Sequence, residues 1–364
     1  MKYLYFGFAT ATLVASGQAR PSVPAPPSPP WQQMLQRWIP GDARCGATII
    51  PASQLRRPYT ALSWDGQKST PRTYRFKIDQ RGRAVSITAS GQWDPTTTDI
   101  APSLAATNFA VTAPLNECAV TYTADPRSLE QAPVGDLVSY SITPLNGELP
   151  AAGWARIKPL GADCDKEPRA QWLRAVSPDY LKLPGQPGAR DWSLVAYDLD
   201  ARGRPIHLRQ EVGTGNLALG KAALRAMAQS RQTQGPRTGC LNAFTRIATR
   251  LPAPADIDPE TLKPARSNCP YDEKWESMPS LVYPDNWRRR AIEGWAILAF
   301  DVAPWGATGN VRVLASEPSD EFGQAAVPIV SAAMKRPSLT GMVGCVERVR
   351  FEMGSGTPEP VGSS

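Results

Sequence analysis

Six cysteines and a single histidine bound the chemistry open to this 364-residue chain. A Cys–His or Ser–His–Asp catalytic set would have to be built around His207, which lies in "RPIHLRQ" and reads as an exposed strand residue. Zinc asks for cysteines and histidines at close spacing, and the chain has no C-x-x-C. "GTGNLALG" (213–220) departs from G-x-G-x-x-G, so it carries no dinucleotide fingerprint. "DLDARGRP" (198–205) groups two aspartates before a glycine, which is turn chemistry. "YDEKWE" (271–276) reads as solvated surface, and Trp287, Trp295 and Trp305 read as core and turn packing. No enzyme, cofactor or metal centre is predicted.

The cysteines themselves carry a pattern. Cys45 and Cys118 are 73 positions apart, Cys164 and Cys240 are 76 apart, and Cys269 and Cys345 are again 76 apart, whereas the gaps between these pairs do not match. A recurring interval implies a recurring unit with one bridge in each: Cys45–Cys118, Cys164–Cys240 and Cys269–Cys345. In a chain-entropy account, closing loops of this length contributes about 4 kcal/mol each.

The elements inside these intervals recur too. "TYRFKIDQRGRAVSITASG" (73–91), "SLVAYDLDARGRPIHLRQEVG" (193–213) and "AILAFDVAPWGATGNVRVLAS" (296–316) each give a strand, a polar Gly turn and a second strand. A helical stretch follows each hairpin: a weak one at 101–110, a strong one at 217–229, and one at 319–334 with Ser319 or Asp320 as N-cap and Pro328 expected to kink or shorten it. The second cysteine of each pair opens a last strand. The predicted fold is α+β, three tandem units, each a small three-stranded antiparallel sheet packed on a helix. Their predicted spans are 41–125, 155–250 and 265–354, with a disordered tail at 355–364.

The N-terminus reads as an address. Lys2 precedes an apolar run of small and aromatic residues that ends at Gly17-Gln18-Ala19, a small-x-small cleavage pattern. Residues 1–19 are predicted to be an export signal, with a retained inner-membrane anchor as the alternative. A Pro-rich linker and a short helix are expected over 20–40. Export places the cysteines in an oxidising compartment, where disulfides persist. The net charge of +7 is spread along the chain with no Lys/Arg block, so nucleic acid is not predicted as a partner.

The third unit resembles the C-terminal domain of TonB, the energy transducer of Gram-negative envelopes. The resemblance rests on Tyr283-Pro284, the basic segment "NWRRRAIEG" ending in Glu293-Gly294, "AILAFDV" and its Gly turn, "VRVLASEP", "EFGQAA" and a closing "VRFEM". Units one and two look like degenerate copies. The resemblance implies a periplasmic protein, or one on the periplasmic side of the inner membrane. It also implies a non-enzymatic role in transport, binding outer-membrane receptors through their TonB boxes or binding other envelope proteins. In that family the box adds as a strand to the sheet edge, and an unpaired edge offers backbone donors and acceptors to an extended peptide. The implied contact residues are Tyr283, Pro284, Val346, Arg348 and Arg350. Along the last strand Val349 and Phe351 suit the core, and the two arginines suit the open face. The alternative is a scaffold protein that has lost receptor binding.

Overall fold

The computed structural model describes residues 32–354 apart from 68, 92–93 and 271–273. The expected export signal, most of the linker and the tail at 355–364 lie outside the described residues. Among the described residues no helix is long and apolar enough to cross a membrane.

The segment expected to be a short helix is strand β1 (Gln33–Pro40). So short an apolar run has no decisive period, and its pairing settles the matter. Next come β2 (Ala43–Cys45), β3 (Thr48–Ile50), β4 (Ala61–Trp64), the hairpin β5 (Arg72–Ile78) and β6 (Ala84–Ala89), α1 (Ile100–Ala105) and the 14-residue β7 (Leu115–Ser128). All pairings are antiparallel, with β5 along one edge of β7 from Leu115 to Tyr122. The other edge holds β2 at Cys118–Ala119 and β1 from Tyr122 to Ser128. The first sheet therefore has seven strands, not the three predicted, because β1 to β4 extend it across β7.

Two helices not foreseen in the sequence, α2 (Val134–Ile142) and α3 (Ala151–Ile157), lead through β8 (Trp172–Arg174) to β9 (Asp191–Leu199) and β10 (Pro205–Gly213). Then follow α4 (Leu217–Gln229), β11 (Arg231–Gln232) and β12 (Arg237–Arg246). The second sheet has the order β10-β9-β12. The last part comprises β13 (Trp275–Ser277), α5 (Asp285–Arg289), β14 (Gly294–Val302), β15 (Thr308–Glu317), α6 (Asp320–Ser331), β16 (Met334–Lys335) and β17 (Met342–Phe351). Its sheet order is β15-β14-β17. Ser319 caps α6, and Pro328 lies inside it, one turn before its end. Strands β9 and β14 are buried almost without alternation, which requires cover on both faces, whereas β5 alternates.

The three hairpins correspond in detail. The N–H groups of Asp79, Asp200 and Ala303 donate to the carbonyls of Arg83, Arg204 and Ala307 at 2.8–3.0 Å. Gly82, Gly203 and Gly306 follow with φ of 71°, 71° and 95°. Their carbonyls accept from Phe109, Gln232 and Lys335, the segment returning from each helix. A Cβ on these glycines would fall within 2.3, 2.0 and 2.1 Å of the carbonyl oxygens of those residues, so both space and φ demand glycine. Each second strand then has a register shift at a residue of positive φ: Ser86, His207 and Asn310. The residue before each second cysteine, Glu117, Gly239 or Gly344, also has positive φ. His207 is thus a bulge residue, with Nδ1 2.8 Å from an Asp198 oxygen, as Asn310 Nδ2 is 2.7 Å from Asp301.

The disulfides are Cys45–Cys118, Cys164–Cys240 and Cys269–Cys345. Each ties the segment ahead of a hairpin to that hairpin's return strand. The first and third sheets share one apolar core that includes Phe76, Ile100, Tyr122, Trp287, Phe322 and Phe351. The second sheet has its own, around Val195, Met227 and Phe244 under α4. A third cluster joins α2 and α3 to β1, β4 and β9 through Leu35, Leu62, Leu137, Ile157 and Leu194. Trp287 and Trp295 are core residues, while Trp305 is 67% exposed on its turn.

Candidate partner-binding edge

The residues ahead of β14 are packing residues first. The Tyr283 hydroxyl donates to the Ile292 carbonyl at 2.5 Å, and its ring meets Phe322 and Phe351 edge-on. Burial pushes that hydroxyl well above the ordinary tyrosine range. Pro284 sits at the N-cap of α5 with φ −61°, which suits a helix start. Behind it Trp287 is fully buried, and its indole N–H donates to a Glu321 oxygen at 2.8 Å. Tyr283 is therefore set inside an aromatic cluster, and Pro284 is half-buried beside it.

Strand β17 is an outer strand of its sheet. Val349 and Phe351 face the core. On the same face Glu347 accepts from the Trp275 indole N–H at 2.9 Å, Trp275 stacks on Phe300 at 5.3 Å, and the Lys335 ammonium lies 4.0 Å from the Trp275 ring centre. Val346, Arg348 and Arg350 point the other way by strand alternation. The open face expected for the arginines is occupied: Asp256, in the connector after the second sheet, accepts from both. The Arg350 contact is 2.8 Å. This hydrogen bond from Arg350 is the largest effect and, helped by the charge of both guanidiniums, holds the Asp256 carboxyl below its usual range against the opposing effect of burial.

The connector touches β17 at a second place. Asn268 N–H donates to the Val343 carbonyl at 3.2 Å, and its side-chain oxygen accepts from Val343 N–H at 2.7 Å. Asp163 clips Thr238 of β12 in the same double fashion, again one residue before the first cysteine of its pair. Between the Asp256 and Asn268 contacts a groove of about 320 Å³ runs along Cys345–Arg350, roofed by the turn around Pro259 and Glu260. In the first sheet the matching edge of β7 is filled by β2 and β1, the chain's own strands. Asp256 and Asn268 escape a reading of motifs. The one sequence signal is an acidic pair, Asp256 and Asp258, in a Pro-rich connector ahead of a strand carrying two arginines.

Such a sheet of hairpin plus return strand, with a helix between, defines a small α+β domain. Residues 279–353 match the family described as Gram-negative bacterial TonB protein C-terminal, and this part of the chain is a domain of that family. The match runs from just ahead of Tyr283 to just past β17. A comparison with the curated proteins gives no match to the chain.

Proposed function

We propose that this is a periplasmic TonB-family protein that binds envelope partners without catalysis, taking the TonB box of outer-membrane receptors as an added strand along β17. The single observation that carries this reading is the TonB C-terminal domain at 279–353, whose outer strand lies against a groove. A backbone edge with a groove beside it suits an extended peptide, because main-chain hydrogen bonds give affinity and alternate side chains give specificity. The first sheet supplies an internal precedent, since β2 and β1 already occupy that edge of β7. The three sheets are read as copies of one ancestral unit, of which the third keeps the binding edge. Three disulfides suit an exported chain. Residues 1–19 are read as its export signal. Val346, Arg348 and Arg350 would border the added strand, and Tyr283 and Pro284 would support the sheet behind it.

A second reading is favoured by one contact: Asp256 on Arg348 and Arg350 closes part of the edge, as expected of a scaffold that has lost receptor binding. Titration of the full chain with a TonB-box peptide and a scrambled control separates the two. Saturable binding of the box peptide alone supports the receptor reading. Equal or absent binding of both peptides contradicts it.

A further inference from the structure

We infer that the cleft between the first and second sheets is a binding site for a small oxyanion, distinct from the β17 edge. The cleft has a volume of about 680 Å³, within the range of small-molecule sites, and five arginines against two aspartates line it. Two of the arginines are spoken for. Arg37 pairs with Asp125 and Asp136, and the fully buried Arg290 pairs with Asp99.

The others lack a carboxylate partner among the described residues. Arg56 donates from Nε to the Ala106 carbonyl at 3.1 Å and from Nη2 to the Gln186 side-chain oxygen at 2.7 Å. Arg190 donates from Nη1 to the Ile142 carbonyl at 3.0 Å and to the Thr143 hydroxyl at 3.3 Å, and its Nε is buried with no acceptor. Every acceptor that these two guanidiniums have is neutral. Asp191, the remaining acid of the cleft, is committed to the Thr214 hydroxyl at 3.1 Å and to Asn216 Nδ2 at 2.9 Å.

Half-burying two guanidiniums without a paired carboxylate is costly: burial lowers the pKa of both, and at Arg56 the Arg290 charge adds to this while the more distant Asp191 only partly offsets it. Their planar forks suit a carboxylate or phosphate in bidentate fashion. Gly215 and Asn216, at the N-terminus of the 13-residue α4, add a favourable dipole to the same cleft. Tyr59 and Trp192 supply apolar walls for the body of a ligand.

The test is calorimetric titration of the full chain with inorganic phosphate and with citrate at fixed ionic strength, with chloride as the reference. Saturable binding of either anion above the chloride background is expected. Citrate alone assigns a carboxylate ligand, and phosphate alone a phosphorylated one. Arg56→Gln should weaken that binding about ten-fold or more, and Arg190→Lys, which keeps charge and loses the fork, should weaken it as well. Arg209→Gln, on the β10 surface, should leave it unchanged. If Arg190→Lys does not fold, Arg57→Gln replaces it. Binding no stronger than chloride, or equal in Arg56→Gln and Arg209→Gln, overturns the proposal.

Discussion

Arg290 and Asp99 form an ion pair that is 1% exposed on each side, with Nε 2.6 Å from Oδ1, across 191 positions of sequence. Arg290 also donates to the Gly188 carbonyl at 3.0 Å and the Arg57 carbonyl at 3.3 Å, and lies 4.0 Å from the Tyr59 ring centre. Burial opposes its charge, and Asp99 with Tyr59 outweighs that, so the guanidinium pKa stays above the ordinary value. One side chain thus joins the third sheet to the first and to the entry of the second. Replacing Arg290 with Leu or Asp99 with Leu should each cost about 3–5 kcal/mol, because each leaves an uncompensated buried charge. The double replacement should cost clearly less than the sum. Urea unfolding of the two single variants and the double variant measures the coupling.

The same junction makes a pH prediction. Burial raises the Glu321 pKa above its ordinary 4.5, and the hydrogen bonds from Asn286 and Trp287 only partly offset this. A carboxyl whose folded pKa is raised binds more protons folded than unfolded from pH 4.5 upward. Its stabilising contribution is therefore complete below that pH and is lost as pH rises through the folded pKa. Glu321→Gln keeps an acceptor for Trp287 and removes this proton linkage. Its stability relative to the parent should improve from pH 4.5 to pH 7.5, as read by urea midpoints at both values. A constant difference would contradict the assignment.

Reductant should open the bridges in a definite order. Cys164 is the one half-buried cysteine, while Cys45, Cys118, Cys240, Cys269 and Cys345 are buried at 9% exposure or less. Thiol exchange needs access to a sulfur. The Cys164–Cys240 bridge should be reduced first under native conditions, with Cys45–Cys118 and Cys269–Cys345 surviving longer. Peptide mapping after timed alkylation reads the order. Removing either of the late bridges should cost about 2–5 kcal/mol.

The contact of Asp256 with Arg348 and Arg350 should act as a latch on the β17 edge. Both pairs are partly exposed, so their contribution to overall stability is small. Asp256→Ala should leave the thermal midpoint nearly unchanged and raise the affinity for a box peptide by freeing both arginines. Peptide titration of the variant and the parent measures this, and an unchanged or lower affinity would count against the latch.

The hairpins, their Gly turns, α4 and the cap of α6 were legible because they are local: period, turn residue and N-cap lie within one short stretch. The cysteine intervals made the bridges legible because a repeated span survives when intervening residues drift. Strand β1 was not legible, since its apolar run fits a helix as well as a strand and only its partner β7 decides. Helices α2 and α3 went unseen because each is a short segment whose burial depends on sheets far away in sequence. Arg290 read only as one residue of a basic segment, and nothing near it in sequence announces Asp99. The cover that Asp256 gives β17 escaped for the same reason, its partners lying more than 90 positions downstream.

On the proposed function, an extended peptide pairs with the outer edge of β17. Backbone hydrogen exchange of the full chain with saturating TonB-box peptide, against a scrambled peptide, tests it most directly. Slower exchange confined to 345–351 and the facing connector around Asp256 is the predicted result. No change in β17, or protection at β10 or β15 in its place, would contradict it.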